Sequence, residues 1–194
     1  MVSFRRNKPM AVASNDVHRW TREEYERMAA QGFFPPEARV ELVDGIVYDM
    51  APQNSPHTTA LHLCLQFLTR AFPDCYVRVQ SPLALDDDSE PEPDLAVVEG
   101  TIQDYADGHP TTAVLVVEVA DSSLAHDVET KIPLYARSGI PEAWLVNLKA
   151  KTLEVYREPG TDAYRSRQIF RKGDAASPLA CSEAQVVVAD LFPR

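Results

Sequence analysis

The spacing of apolar positions changes several times along this chain, and each change predicts an element. Leu61, Leu65 and Leu68 recur at helical spacing through Phe72, so a long core helix is expected from Ser55, a cap candidate, to the Pro73-Asp74 stop. Thr21-Arg-Glu-Glu24 has the spacing of a capping box and predicts a shorter helix over 21–31, ended by Gly32. Over residues 39–50 the pattern becomes a hairpin turning at Asp44-Gly45, a dipeptide that readily takes the backbone of a tight turn. Residues 76–85 read as strand-like around Pro82, 86–93 as a charged, proline-broken loop, and 94–98 as the start of another strand. Pro133 is tolerated in a first helical turn but not deeper, so the next helix is expected to start at 127–130 and to run to Arg137, with Gly139 as its stop. Strands over 141–147, 152–156, 163–170 and 185–188 complete a sheet-rich second half. The order predicts an α/β fold, a mixed sheet flanked by helices in one domain over 19–194, after a loose segment over 1–18.

One strand breaks its own pattern. Ala113-Val-Leu-Val-Val-Glu-Val-Ala120 is apolar except for Glu118, and such a run reads as a strand buried on both faces. An unpaired carboxylate there is heavily penalised by lost hydration, so a metal ion, a lysine or an arginine is expected to face it. Asp94 precedes it at a strand start and Lys131 follows on the next helix. If the strands of Asp94 and Glu118 are neighbours, both carboxylates share one cleft and suit Mg²⁺, a hard ion that takes oxygen ligands. Lys131 would then orient an attacking water or stabilise the charge that builds up on a phosphate.

Composition changes this picture in one respect. The 194 residues carry a net charge of −10, whereas a duplex-binding surface is normally basic, so any such surface must be local. Arg165, Arg167, Arg171 and Lys172 form the one dense basic stretch, with Arg165 and Arg167 on one strand face. Three cysteines without a CxxC pair suggest neither a disulfide framework nor a thiolate zinc site, and a reducing cytoplasm fits them. No apolar run reaches membrane-spanning length. His57 and His62 stand five apart rather than four, so no zinc pair is expected.

Pro93-Asp94 followed by Glu118-Val-Ala120 resembles the PD-(D/E)XK nuclease superfamily. The wider pattern is similar to its Uma-two branch of restriction endonucleases, from Trp20 to Phe192. It includes the Glu41-Leu-Val-Asp-Gly45 hairpin, His57, Glu92-Pro-Asp94, Asp127 with Lys131 and Tyr135, and Gly139-Ile-Pro-Glu-Ala-Trp144. The superfamily lysine normally stands two residues after the second acid, where this chain has Ala120; in the Uma-like branch it lies on the following helix, which Lys131 matches. The resemblance implies a restriction-endonuclease-like fold and a Mg²⁺-dependent DNA endonuclease, with Mn²⁺ as a substitute. Glu41, Asp94, Glu118 and Lys131 would be its catalytic set, and Asp94, Glu118 and the Val119 carbonyl would hold metal.

Each residue also has an ordinary explanation. Glu41 alternates on a hairpin arm and would suit a solvated strand face, and Asp94 a turn. Asp127 and Lys131, four apart on a helix, would make a surface ion pair, although Asp127 could also orient the lysine. Tyr135 shares the face of Lys131 and suits either cleft or core. His57 suits a helix start bonded to backbone, and Gln80 shares a strand face with Arg78. Two other functions stay open: an inactive nuclease-fold module that binds nucleic acid or protein, and a hydrolase of a small phosphorylated substrate. A homodimer would suit cleavage of both duplex strands.

Overall fold

The computed structural model describes residues 17–194, so the expectation of a loose segment over 1–18 lies, but for its last two residues, outside the described residues. Helix α1 (Arg22–Ala30) starts where its capping box predicts, with the Thr21 hydroxyl accepting from the Glu24 amide at 3.3 Å and the Glu24 carboxylate accepting from the Thr21 amide at 3.0 Å. Strands β1 (Val40–Val43) and β2 (Ile46–Asp49) form the hairpin. Asp44 and Gly45 both take positive φ, 52° and 71°, as the tight turn requires. A Cβ on Gly45 would come within 2.5 Å of Arg19, so glycine is also needed for close approach.

Helix α2 (Ser55–Ala71) is capped one residue earlier than expected, by the Asn54 side chain accepting from the His57 amide. Strand β3 (Cys75–Val79) is shorter than expected, because Gln80 takes φ +44° and ends the pleat before Pro82. Strands β4 (Leu95–Glu99), β5 (Leu115–Ala120), β6 (Glu142–Asn147), β7 (Thr152–Pro159) and β8 (Tyr164–Phe170) follow. With β3 they make one six-stranded sheet in the order β3-β4-β5-β6-β7-β8. All its pairs are antiparallel except β5–β6, whose parallel pairing needs the helical crossover between them. Strands β9 (Ala175–Ala176) and β10 (Val186–Val187) form a separate small pair, so the last predicted strand does not join the main sheet.

The crossover departs most from expectation. It is continuously helical from α3 (Leu124–His126) through a π turn (Asp127–Lys131) into α4 (Ile132–Arg137), so Pro133 lies inside a helix rather than at its start. Pro133 has no N–H to give and its ring crowds the carbonyl four residues back. The widened turn, where the Ile132 amide reaches the Asp127 carbonyl five residues earlier, absorbs that misfit.

The sheet is covered on both faces, so β5 is buried at every position, as its apolar run predicts. Leu115, Val117 and Val119 pack with α2 residues Leu61, Cys64 and Leu68 on one face. Val116 and Ala120 pack with Ile132, Tyr135 and Ile140 on the other. Alternation therefore aims Glu118 at the crossover helix, which carries Lys131. Among the described residues, no helix is long and apolar enough to cross a membrane.

Candidate active site

Glu118 is buried, and its charge is met by protein rather than solvent. Lys131 Nζ lies 2.8 Å from its Oε1, and the Tyr135 hydroxyl donates to the same oxygen at 2.5 Å. The β4–β5 register pairs Leu95 with Val117, so Asp94 and Glu118 stand side by side one step further on. Each carboxylate reaches the backbone of the other's strand: the Val119 amide donates to Asp94 Oδ2 at 2.8 Å, and the Asp94 amide to Glu118 Oε2 at 3.4 Å. Asp94 is also held by Gln80 Nε2 at 3.0 Å on Oδ1 and by His57 Nε2 at 3.1 Å on Oδ2.

Glu41 is buried on β1 rather than solvated. The hairpin is pinned to the acidic loop by a two-way backbone bridge between Leu42 and Glu90. That bridge brings the Glu92 amide to Glu41 Oε2 at 3.0 Å, and Lys131 Nζ to the same oxygen at 3.1 Å. The ammonium donates a third bond to the Glu92 carbonyl at 3.1 Å. Glu41, Asp94, Glu118 and Lys131, separated by up to 90 residues of chain, thus line one cavity of 170 Å³.

The expected surface pair of Asp127 with Lys131 is not made. Asp127 is buried and accepts from the Ser123 hydroxyl at 2.7 Å, while the lysine turns to Glu41 and Glu118. Tyr135 stands behind Glu118 as a fully buried donor and does not line the cavity. His57 binds a carboxylate rather than backbone with its ring, and its Nδ1 is buried without a partner. Gln80 and Arg78 do not share a role, because the positive φ at Gln80 breaks the alternation; Arg78 donates to the Pro82 carbonyl, outside the cavity lining. Arg167 of the basic stretch is committed to Glu154 at 2.7 Å.

Sequence spacing missed His126. Its Nε2 lies 3.2 Å from Glu41 Oε1, and its ring packs on Tyr48 with centroids 4.6 Å apart. Pro133 was its one local signal, since only a widened turn lets a residue five before Lys131 reach the same carboxylate.

Four buried carboxylates, Glu41, Asp94, Glu118 and Asp127, line the cavity with one lysine, which touches Glu41 and Glu118. Burial, with Asp127, Asp94 and Glu41 nearby, pushes the Glu118 carboxyl up to about 8 against the pull of Lys131. Burial acts to raise Glu41 too, but Lys131, His126 and the Glu92 amide outweigh it and hold that carboxyl down at about 2. Burial works against the charge on Lys131, yet Glu118, Glu41 and Asp127 hold it protonated. Glu90, Glu92 and Asp127 are also shifted upward, burial being the largest cause, and so is His57, where burial is outweighed by its bond to Asp94.

These shifts set a pH dependence. Between the ordinary carboxylate range and about pH 8 the folded chain holds protons that the unfolded chain has released, so stability falls as pH rises through that window. Only below that range do Glu41 and Asp94 matter, since their lowered values confer stability that is lost as pH drops through them. Burial lowers His109, which works in the opposite sense near neutrality but is one group against several. In chelator, the melting temperature is expected to fall steadily from pH 5 to pH 8.5; a flat or rising profile in a thermal scan would contradict these assignments.

A search of curated proteins gives no match. A solved structure from Anabaena variabilis ATCC 29413, described as a putative nuclease belonging to DUF820, is similar with a TM-score of 0.69 over 89% of this chain and 97% of that one. At 18% identity that likeness establishes a shared fold, which bears out the restriction-endonuclease-like sheet flanked by helices. The model of the Uma2 family, described as putative restriction endonuclease, matches residues 22–189, and the chain belongs to that family.

Proposed function

We propose that the chain is a Mg²⁺-dependent phosphodiesterase of the PD-(D/E)XK type acting on DNA, with Mn²⁺ able to substitute. One observation carries the reading: Lys131 Nζ lies 2.8 Å from Glu118 and 3.1 Å from Glu41, in a cavity that Asp94 also lines. The lysine that the superfamily places two residues after its second acid is supplied here from the crossover helix.

Among the described residues, no three His, Cys, Asp or Glu side chains already converge at ion-binding spacing. The donor set nevertheless fits a hard divalent cation. A carboxylate has about four lone-pair sites. On Glu118, Lys131 and Tyr135 use both sites of Oε1 and the Asp94 amide one of Oε2, leaving one open. On Asp94, His57 and Val119 use Oδ2 and Gln80 one site of Oδ1, again leaving one open. The excess of buried acid over lysine favours a cation there, and the Val119 carbonyl would be a third oxygen donor.

Bound by Asp94 and Glu118, Mg²⁺ would polarise a phosphate oxygen and lower the pKa of coordinated water. The chain's own residues do the rest. Gln80, His57 and the Val119 amide fix the Asp94 carboxylate, so little rearrangement is left for the moment of reaction. Tyr135 and the Asp94 amide do the same for Glu118. Lys131, held charged between two acids, sets its positive charge beside the attacking water and the negative charge gathering on phosphorus. Glu41 keeps that ammonium in place.

A non-catalytic interaction module is favoured by one feature, that Lys131 is fully satisfied by protein groups alone. Incubating plasmid and linear DNA with purified protein separates the readings. Cleavage is expected in Mg²⁺ or Mn²⁺ and none in chelator, with Glu118→Ala inactive. A Glu118→Ala protein as active as the native one would sink the assignment, and no cleavage together with no calorimetric binding of millimolar Mg²⁺ would favour the module.

A further inference from the structure

Glu41 holds more than Lys131. Its Oε2 takes the lysine at 3.1 Å and its Oε1 takes His126 Nε2 at 3.2 Å, so one buried carboxylate spaces two proton-bearing groups of the same helix. In an α-helix, residues five apart point about 140° away from each other and could not converge on one side chain. The π turn between them removes that obstacle, because residues five apart in it lie one above the other. The two groups differ in access. Lys131 and Glu41 have side chains only 4% exposed, whereas His126 is 28% exposed and lines the cavity. Its ring is braced by Tyr48 from β2 and Glu41 from β1. The other cavity histidine, His57, is tied to Asp94 through Nε2, and its Nδ1 is sealed in the interior.

We infer that His126 is a second catalytic residue, the donor that protonates the leaving oxygen of the phosphodiester; this rests on the phosphodiesterase reading above. In-line displacement places the attacking and leaving oxygens on opposite sides of phosphorus, so one group cannot serve both. Lys131 serves the water. His126, five residues away and held by the other oxygen of the same carboxylate, serves the leaving group. The water oxygen forms the new P–O bond and releases a proton to solvent. The P–O bond to the leaving oxygen breaks, its electron pair stays on that oxygen, and the proton of the protonated imidazole moves onto it from Nδ1, the nitrogen Glu41 does not hold. His126 regains a proton from solvent, and Glu41 keeps its ring oriented throughout.

The test compares two substrates of the same protein with Mn²⁺ present. DNA leaves as an alkoxide and needs the proton, whereas thymidine 5′-(p-nitrophenyl phosphate) leaves as nitrophenolate and does not. His126→Asn is expected to lose about 100-fold on DNA and less than about 3-fold on the nitrophenyl ester. The ratio of the two rates within one sample is independent of the fraction folded, so a destabilised variant still gives an answer, and His126→Gln provides a second reading. Equal losses on both substrates, or no loss on DNA, would overturn the role. Native protein inactive on both substrates would instead overturn the phosphodiesterase reading and this inference with it.

Discussion

Lys131→Met will lower the stability of the metal-free protein by about 3–5 kcal/mol, because it removes the one cation paired with two buried acids and leaves them facing each other. Lys131 is buried at the cavity wall, 2.8 Å from Glu118 and 3.1 Å from Glu41, so solvent offsets little of its loss. Methionine keeps the length and apolar stem, which separates loss of charge from loss of packing. A domain of this size has a total stability of about 5–15 kcal/mol, so the loss will show as a large fall in the urea midpoint with little change in slope. A change under about 1 kcal/mol would mean that Glu118 and Glu41 do not depend on the lysine for their burial. Cleavage should vanish as well, but the stability measurement needs no substrate.

The second large effect runs in the opposite direction for stability. Glu118→Gln is expected to reduce DNA cleavage about 1,000-fold, as the loss of a group that acts on the transition state does. In chelator at pH 8 the same variant should be more stable than the native protein by about 1 kcal/mol, since it removes one acid from a cluster with too few cations. Burial already pushes Glu118 up to about 8, so ionising it opposes folding. The glutamine carbonyl in the place of Oε1 still accepts from Tyr135, and only the long 3.4 Å bond from the Asp94 amide to Oε2 is given up. Lys131 keeps Glu41 and the Glu92 carbonyl. The two variants thus separate a residue that stabilises the site from one kept at the fold's expense. Equal destabilisation by both would show that Glu118 is merely half of a structural ion pair.

Local features of the fold were legible because their physics is local. Thr21 with Glu24 and Asp44 with Gly45 specify a helix start and a turn within four residues, and both form as read. The apolar run of β5 announced burial on both faces, and Glu118 within it announced a partner. Elements that depend on a neighbour were less legible. The strand at Tyr76 stops at Val79 because Gln80 turns left-handed to reach Asp94, a contact set by the fold and not by propensity. Read on α-helical spacing, Pro133 moved the helix start several residues too late; in the structure it sits behind a π turn that begins at Asp127.

The site was legible to the same degree. Glu41, Asp94, Glu118 and Lys131 share a cavity, and Gln80, His57 and Tyr135 each touch one of the acids. Asp127 was placed on the surface by one reading and is buried against Ser123 instead. His126 had no signal in its spacing, because five carries no meaning on a regular helix, and Pro133 alone hinted at the widened turn. The part played by the Glu92 backbone was equally hidden, since it arises only when the hairpin docks on the acidic loop through Leu42 and Glu90.

Crystals of the native protein soaked in Mn²⁺ and recorded at an anomalous wavelength would show directly where a divalent cation sits. One anomalous peak touching both Asp94 and Glu118, with Lys131 still between Glu118 and Glu41, is the expected result. A peak elsewhere, or none at millimolar Mn²⁺ with the cavity open to solvent, would contradict the assignment of these residues as a metal-dependent phosphodiesterase site.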